Sequence, residues 1–276
     1  MSQQGLISVN YHLLRACNYR CRFCFATFED VSGTLSLPRQ LELLRALRAA
    51  GCEKLNFAGG EPTLYRHLPE LLREARTLGF VTSIISNGAR LEELLATSAG
   101  DLDWVGLSID SADEAIQARL GRGDGDHVAR SRELVALVHH LGLRLKINTV
   151  VTSLNWEEDL RPLIRELHPE RWKVFQVLPV AGQNDGLVEP LLISRDHFQA
   201  FVDRNQLPPP LHAIVEDNDA MTGSYAMIDP LGRFFSNVGG HHTYSRPILE
   251  VGVATALAES RFSPDRLIRR GGRYAW

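Results

Sequence analysis

The chain has 276 residues, 44% hydrophobic and 23% charged, with 22 Gly and 13 Pro. That suffices for one large domain or two small ones, and it excludes a disordered chain, a collagen-like repeat and a disulfide-stapled miniprotein. Thirty Lys and Arg against 33 Asp and Glu give a formal charge of −3, so no net positive field points to a nucleic-acid partner. No run approaches the ~18 apolar residues of a membrane span, and Met1-Ser2-Gln3-Gln4-Gly5 leads into an alternating apolar stretch without a signal-peptide pattern. The expectation is a cytoplasmic protein with no membrane partner.

In chain order, strand-like runs at 6–13, 54–58, 81–85, 104–109, 144–151 and 172–178 alternate with helical patterns near 37–50, 67–79, 90–99, 127–141 and 156–167. Pro38 opens the first helical pattern, and Gly51 and Gly79 close the first two. Six strands alternating with helices imply a parallel sheet with right-handed crossovers. Six units are too few for an eight-fold barrel, so the expected fold is α/β, a partial (β/α)6 TIM-like barrel over residues 1–180. After about residue 180 the alternation lapses. Residues 182–189 read as a loop and Pro208-Pro209-Pro210 as a break, while runs at 225–228 and 233–235 flank a hairpin turn at Asp229-Pro230-Leu231-Gly232. Residues 181–276 are therefore expected as a C-terminal accessory extension that closes the open side of the barrel and contributes to its site. Chemistry in parallel barrels collects at the C-terminal ends of the strands. The cysteine loop, Gly59-Gly60-Glu61-Pro62, Ser86-Asn87-Gly88 and Asp110-Ser111 all fall there.

Of the 30 basic residues only Lys54, Lys146 and Lys173 are lysines. They are expected where arginine cannot substitute, because a buried lysine can shed its proton. Three of the four cysteines crowd into Cys17-x3-Cys21-x2-Cys24, which suits a metal site in a reducing compartment better than a disulfide framework. Structural zinc would need a fourth protein ligand, for which only Cys52 or a histidine such as His12 is at hand. A cuboidal iron–sulfur cluster fits better, since three thiolates hold three irons and the fourth iron stays open. Tyr19, Phe23 and Phe25 would keep such a cluster dry.

The CxxxCxxC loop followed by Gly59-Gly60-Glu61-Pro62 resembles the radical S-adenosylmethionine superfamily. The resemblance implies one 4Fe-4S cluster on Cys17, Cys21 and Cys24, with S-adenosylmethionine on the open iron. Electron transfer then cleaves that cofactor to methionine and a 5′-deoxyadenosyl radical. The resemblance places Glu61, with Gly59 and Gly60, at the methionine amino group, the glycines permitting close backbone approach. It places Tyr19, Phe23, Ser86, Asn87, Ser108 and Ser111 around the same cofactor. An electron donor of the flavodoxin or ferredoxin type is implied as well. Only Cys52 lies outside the motif, so no auxiliary cluster is expected.

Nearly the whole chain is similar to the viperin family. The similarity runs through Val9-Asn10-Tyr11-His12, residues 17–25 and 53–62, Ser86-Asn87-Gly88, Gly121-Arg122-Gly123, Lys146-Ile147-Asn148, residues 171–176, Ser224-Tyr225 and residues 269–274. It implies removal of the 3′-hydroxyl from a ribonucleoside triphosphate (CTP, GTP or UTP). The product is the 3′-deoxy-3′,4′-didehydro analogue, a chain terminator in antiviral defence. The residue types suit a polyanion, which prefers Arg, Lys and N–H donors. Period-2 alternation puts Arg171 and Lys173 on one face of the sixth strand, and Arg269, Arg270 and Arg273 surround Gly271-Gly272 as a basic clamp. Asn10 and Asn148 complete the expected substrate set. Lys146 is the candidate to assist departure of the hydroxyl, because burial and neighbouring cations lower a lysine pKa. Tyr225 is the carried-over donor of the final electron and proton. Two alternatives stand beside this: a radical enzyme acting on another nucleotide or a peptide, and a non-catalytic metal-dependent binding module. His139-His140 lies on a helix, where adjacent residues point about 100° apart, and reads as structural. His241-His242 occupies a loop where the animal proteins carry basic residues, and it is left without a role.

Overall fold

The structure, a computed structural model, describes residues 6–276. Strands β1 (Ser8–His12), β2 (Lys54–Ala58), β3 (Val81–Ser86), β4 (Trp104–Ser108), β5 (Arg144–Val151) and β6 (Arg171–Gln176) lie where the alternation predicts them. Between them run α1 (Leu37–Ala49), α2 (Leu68–Thr77), α3 (Leu91–Ser98), α4 (Glu114–Arg119), α5 (His127–His140) and α6 (Arg161–Leu167). The tail forms α7 (Arg195–Arg204), β7 (Ala213–Glu216), α8 (Asn218–Met221), β8 (Met227–Ile228), β9 (Arg233–Ser236), β10 (Thr243–Pro247), α9 (Ile248–Val251), α10 (Val253–Glu259) and α11 (Pro264–Arg269).

All ten strands belong to one sheet, ordered β10-β9-β8-β1-β2-β3-β4-β5-β6-β7. β7 pairs with β6 and β8 with β1, both parallel, so the parallel run holds eight strands where six were expected. β9 and β10 continue it antiparallel. The tail thus lengthens both sides of the sheet, and no strand pairing joins β7 to β10 among the described residues. At four and two residues, β7 and β8 are too short to leave a periodic signal. The expected hairpin is present, held by the buried Asp229 carboxylate, which accepts from Leu231 N, Arg233 N and the Arg233 guanidinium.

The strands alternate because their two faces meet different surroundings. Val9, Tyr11, Leu55, Phe57, Val105, Leu107, Leu145, Ile147, Trp172 and Val174 point outward and are 0–1% exposed. They pack on Leu43, Leu44 and Leu47 of α1, Leu71 and Leu72 of α2, and Val135 and Val138 of α5, which is where the main core sits. The intervening residues, Asn10, His12, Lys54, Asn56, Lys146, Asn148 and Lys173, face inward and line cavities. The helical pattern at 156–167 begins only at Arg161: Pro162 occupies the first turn, where its missing N–H costs nothing. No helix among the described residues is long and apolar enough to cross a membrane.

Candidate active site

A cavity of about 320 Å³ lies at the C-terminal ends of the strands, lined by Cys17, Cys21, Cys24, Gly59, Gly60, Glu61, Ser86, Asn87, Ser108 and Asn148. The cysteine loop is fixed by its backbone. Arg20 N and Arg22 N donate to Gly121 O and Leu120 O, and Gly60 N and Glu61 N donate to Leu14 O and Ala16 O at 2.7 and 2.8 Å. That close approach explains two glycines: a Cβ on Gly121 would stand 2.0 Å from Arg20 O, and one on Gly60 2.2 Å from Ala16 O. Gly60→Ala is expected to cost about 1–3 kcal/mol and to displace the loop. The check is a lowered melting temperature with reduced iron uptake on reconstitution; unchanged values would contradict it.

Burial raises the pKa of all three thiols, Cys21 to about 12, so a bound metal has to supply the charge that favours the thiolates. No group of three or more His, Cys, Asp and Glu side chains among the described residues is arranged to hold a single ion. Tetrahedral zinc is therefore a poor fit. Three separate thiols around one cavity suit a cuboidal cluster, in which each ligates its own iron. Beside them, Arg122 and Asp110 form a buried ion pair at 2.5 Å, with the guanidinium 5.7 Å from the Phe23 ring centre. Tyr19 packs edge-on against His127.

Glu61 is 1% exposed. Its carboxylate accepts from Thr63 N, Thr63 Oγ1 and Ser86 Oγ at 2.7–3.1 Å, and from Asn87 N at 2.8 Å. It thereby locks the loop after β3 against the loop after β2. Asn87 reaches on to Asn18 Oδ1 at 2.9 Å.

Deeper in the sheet a second pocket of about 50 Å³ is lined by Ser8, Asn10, Lys54, Asn56, Lys146, Arg171, Lys173, Tyr225, Arg270 and Tyr274. All three lysines of the protein are there. Asn10, Asn56, Lys146, Lys173 and Tyr225 line both cavities, which are therefore adjacent. Burial, then crowding by Arg171 and Arg144, lowers Lys54 to about 7. Burial also holds Lys173 at about 8 and Lys146 well below its ordinary value. Lys54 Nζ donates to Tyr274 Oη at 2.7 Å and sits 4.6 Å from the Trp104 ring centre and 5.2 Å from that of Trp276. Arg171 lies 3.9 Å over Tyr274, and Arg270 3.6 Å over Tyr225. Buried polar atoms are normally paired, yet His12 Nδ1, Asn56 Oδ1, Asn148 Oδ1 and Asn237 Oδ1 have no protein partner. All four residues line the large cavity, which is therefore furnished for a polar ligand.

The structure brings most of the expected residues together and sets three apart. Ser111 is 0% exposed and bonds Glu158 at 2.7 Å and the backbone of Asp113 at the start of α4; it lines neither cavity, and its neighbour Asp110 lines the large one in its place. Arg269 and Arg273 are exposed, and of the clamp only Arg270 enters the pocket. Leu267 anchors the inner face of α11, so the residue three further on points inward while Arg269 is turned away. The glycine-rich turn at 121–123 packs on the cysteine loop and contributes Arg122. Glu216 went unpredicted, while Lys54, Asp110, Asn56 and Tyr274 stood in the sequence reading only within the lysine set or longer motifs, with no substrate or cofactor role assigned. The scarcity of lysine was the available signal for Lys54. His139 bonds Leu167 O, and His242 is packed among Phe28, Phe235 and Tyr244.

A partial parallel barrel with three convergent thiols above a polar, cation-rich interior defines a radical S-adenosylmethionine enzyme. Residues 11–167 match the Radical SAM superfamily. The chain is 44% identical over 280 residues to an S-adenosylmethionine-dependent nucleotide dehydratase of Flammeovirga pacifica, covering 98% of this chain and 96% of that one. It is 43% identical over 281 residues to a protein of the same description from Lacinutrix mariniflava, covering 98% of this chain but spanning only 58% of that relative's length. Among solved structures, anSMEcpe with bound AdoMet and Cp18Cys peptide superposes with a TM-score of 0.65 at 15% identity, over 84% of this chain and 74% of that one, a likeness of fold alone. The chain belongs to the S-adenosylmethionine-dependent nucleotide dehydratase family of the radical SAM superfamily, whose cofactors are a 4Fe-4S cluster and S-adenosylmethionine.

Proposed function

We propose that the protein removes the 3′-hydroxyl of a ribonucleoside triphosphate (CTP, GTP or UTP) to give the 3′-deoxy-3′,4′-didehydro nucleotide, a chain terminator serving antiviral defence in the cytoplasm. The carrying observation is that the thiol-lined cavity shares five wall residues with a pocket holding all three lysines with Arg171 and Arg270. The catalytic core lies within residues 1–180, of which 1–5 are outside the described residues, and residues 181–276 supply part of the nucleotide site. When bound, the cluster and S-adenosylmethionine supply a hydrogen-abstracting 5′-deoxyadenosyl radical, with electrons from a flavodoxin- or ferredoxin-type donor.

Cys17, Cys21 and Cys24 hold the cluster. Tyr19, Phe23, Gly59, Gly60, Glu61, Ser86, Asn87 and Ser108 surround the cofactor, with Arg122 as a further cation. Lys54, Arg171, Lys173 and Arg270 take the phosphates, while Asn10, Asn56 and Asn148 offer amide groups towards the sugar. Burial and three nearby cations, Lys54, Lys173 and Arg171, hold the Lys146 amine well below its ordinary value. A polyanion beside it favours the protonated amine, and the ammonium can assist departure of the hydroxyl. Tyr225 is the donor of the final electron, its proton replacing the one that leaves with the hydroxyl as water, and the flavodoxin- or ferredoxin-type donor then reduces the phenoxyl back to tyrosine. Tyr225→Phe is accordingly expected to keep releasing 5′-deoxyadenosine while nucleotide product falls by about a hundredfold; an undiminished product yield would remove that assignment.

The reading is tested by reconstituting the protein anaerobically and supplying dithionite, S-adenosylmethionine and each of CTP, GTP, UTP and ATP in turn. One triphosphate should raise 5′-deoxyadenosine release and yield a nucleotide lighter by one water. Slow, equal release with all four and no such product would refute it.

A further inference from the structure

The cationic pocket has a carboxylate in its wall. Glu216, the last residue of β7, is 0% exposed. Its Oε1 is 2.5 Å from Lys173 Nζ and 3.4 Å from Arg270 Nη1, and its Oε2 accepts the Tyr225 hydroxyl. Lys173 donates to the same hydroxyl. The phenol thus commits its one donor to Glu216 and an acceptor position to Lys173. Burial alone would raise the Glu216 pKa, but Lys173 and Arg270 hold it below its ordinary value, so it is an anion. The four residues come from β6, β7, the segment before β8 and the end of α11. The carboxylate therefore ties one side of the parallel run, at β7, to tail residues beside the other, at β8.

For phosphate binding alone such an acid is a liability, since it repels a polyanion and its own burial is costly. Its geometry gives it another use. Lysine has three donors and arginine five, so Lys173 and Arg270 can serve Glu216 and a phosphate together. We infer that Glu216 is a positioning residue, an internal anion that gathers Lys173, Arg270 and Tyr225 into place before nucleotide arrives and afterwards keeps the Tyr225 phenol aimed. Affinity is given up for correct placement. The inference rests on reading the pocket as a triphosphate site.

Glu216→Gln keeps the size and hydrogen-bonding capacity of the side chain and removes its charge. The probes are inorganic triphosphate and whichever nucleoside triphosphate gives most product. Loss of the like charge is expected to lower both Kd values about tenfold. Turnover to nucleotide product should nevertheless fall about tenfold, with more 5′-deoxyadenosine released per product. Glu216→Asp, which keeps the charge but shortens its reach, should retain the wild-type Kd and show the same raised ratio. In a Tyr225→Phe background, Glu216→Gln should still tighten binding but no longer alter the ratio, because the group it acts through is gone. Weaker or unchanged binding by Glu216→Gln, or a further change of ratio in the Tyr225→Phe background, overturns the inference. If the wild-type protein forms no nucleotide product at all, the dehydratase reading falls instead; the inorganic triphosphate comparison still decides the role of the Glu216 charge.

Discussion

Cys21→Ala is expected to abolish S-adenosylmethionine cleavage, leaving a protein that stays colourless after anaerobic reconstitution and releases no 5′-deoxyadenosine. A cuboidal cluster needs all three thiolates of the loop, and no fourth cysteine can stand in. Cys52 is 0% exposed in the core, its thiol bonded to Lys54 O at 3.3 Å. The fold should survive. Cys21 is half-buried on a loop whose course is set by backbone hydrogen bonds from Arg20, Arg22, Gly60 and Glu61, so the stability cost should be near 1 kcal/mol. Visible absorbance, product chromatography and thermal unfolding separate the two effects. Cofactor cleavage persisting in the variant would overturn the assignment of the loop.

Nucleotide affinity is expected to peak near neutral pH and to fall as the pH rises. Without nucleotide, Lys54 lies at about 7, Lys173 at about 8 and Lys146 well below the ordinary lysine value, in each case through burial first. A bound triphosphate favours the charged amines and raises their pKa. Between the free and bound values binding takes up protons, so affinity drops with pH; below the free values the amines are charged in both states and this dependence flattens. On the acid side, a terminal phosphate begins to protonate near pH 6 and loses charge of its own. Other groups facing the lysines do not reverse the sign. Arg171 and Arg270 carry fixed charge, Glu216 is held low by Lys173 and Arg270, and burial pushes Tyr225 and Tyr274 upward. Between pH 7 and 9 the Kd should rise by up to about tenfold per pH unit for each proton taken up. Calorimetry in two buffers of different ionisation heat would show that uptake. A flat profile, or proton release, would contradict it.

Much of this was legible from residue order. The spacing of Cys17, Cys21 and Cys24 confines three thiols to one loop, whatever the rest of the fold does. The alternation at 54–58 and 144–151 marks strands with one apolar and one polar face, hence a sheet whose polar face lines an interior. Three lysines among 30 basic residues marked positions where a removable proton matters, and all three share one pocket. Those properties are local: they depend on chemistry and period, which a chain carries before it folds. What only the tertiary structure decided is which side chains meet. Arg270 enters the pocket while Arg269 and Arg273 stay in solvent, because Leu267 sets how α11 rolls onto the sheet. Ser111 turns to Glu158 because α4 starts beside it. Glu216 reaches Tyr225 and Arg270 because β7 and β8, too short to be periodic, add to opposite sides of the parallel run. Those contacts join residues up to 54 positions apart, and no local pattern encodes the closing of so long a loop.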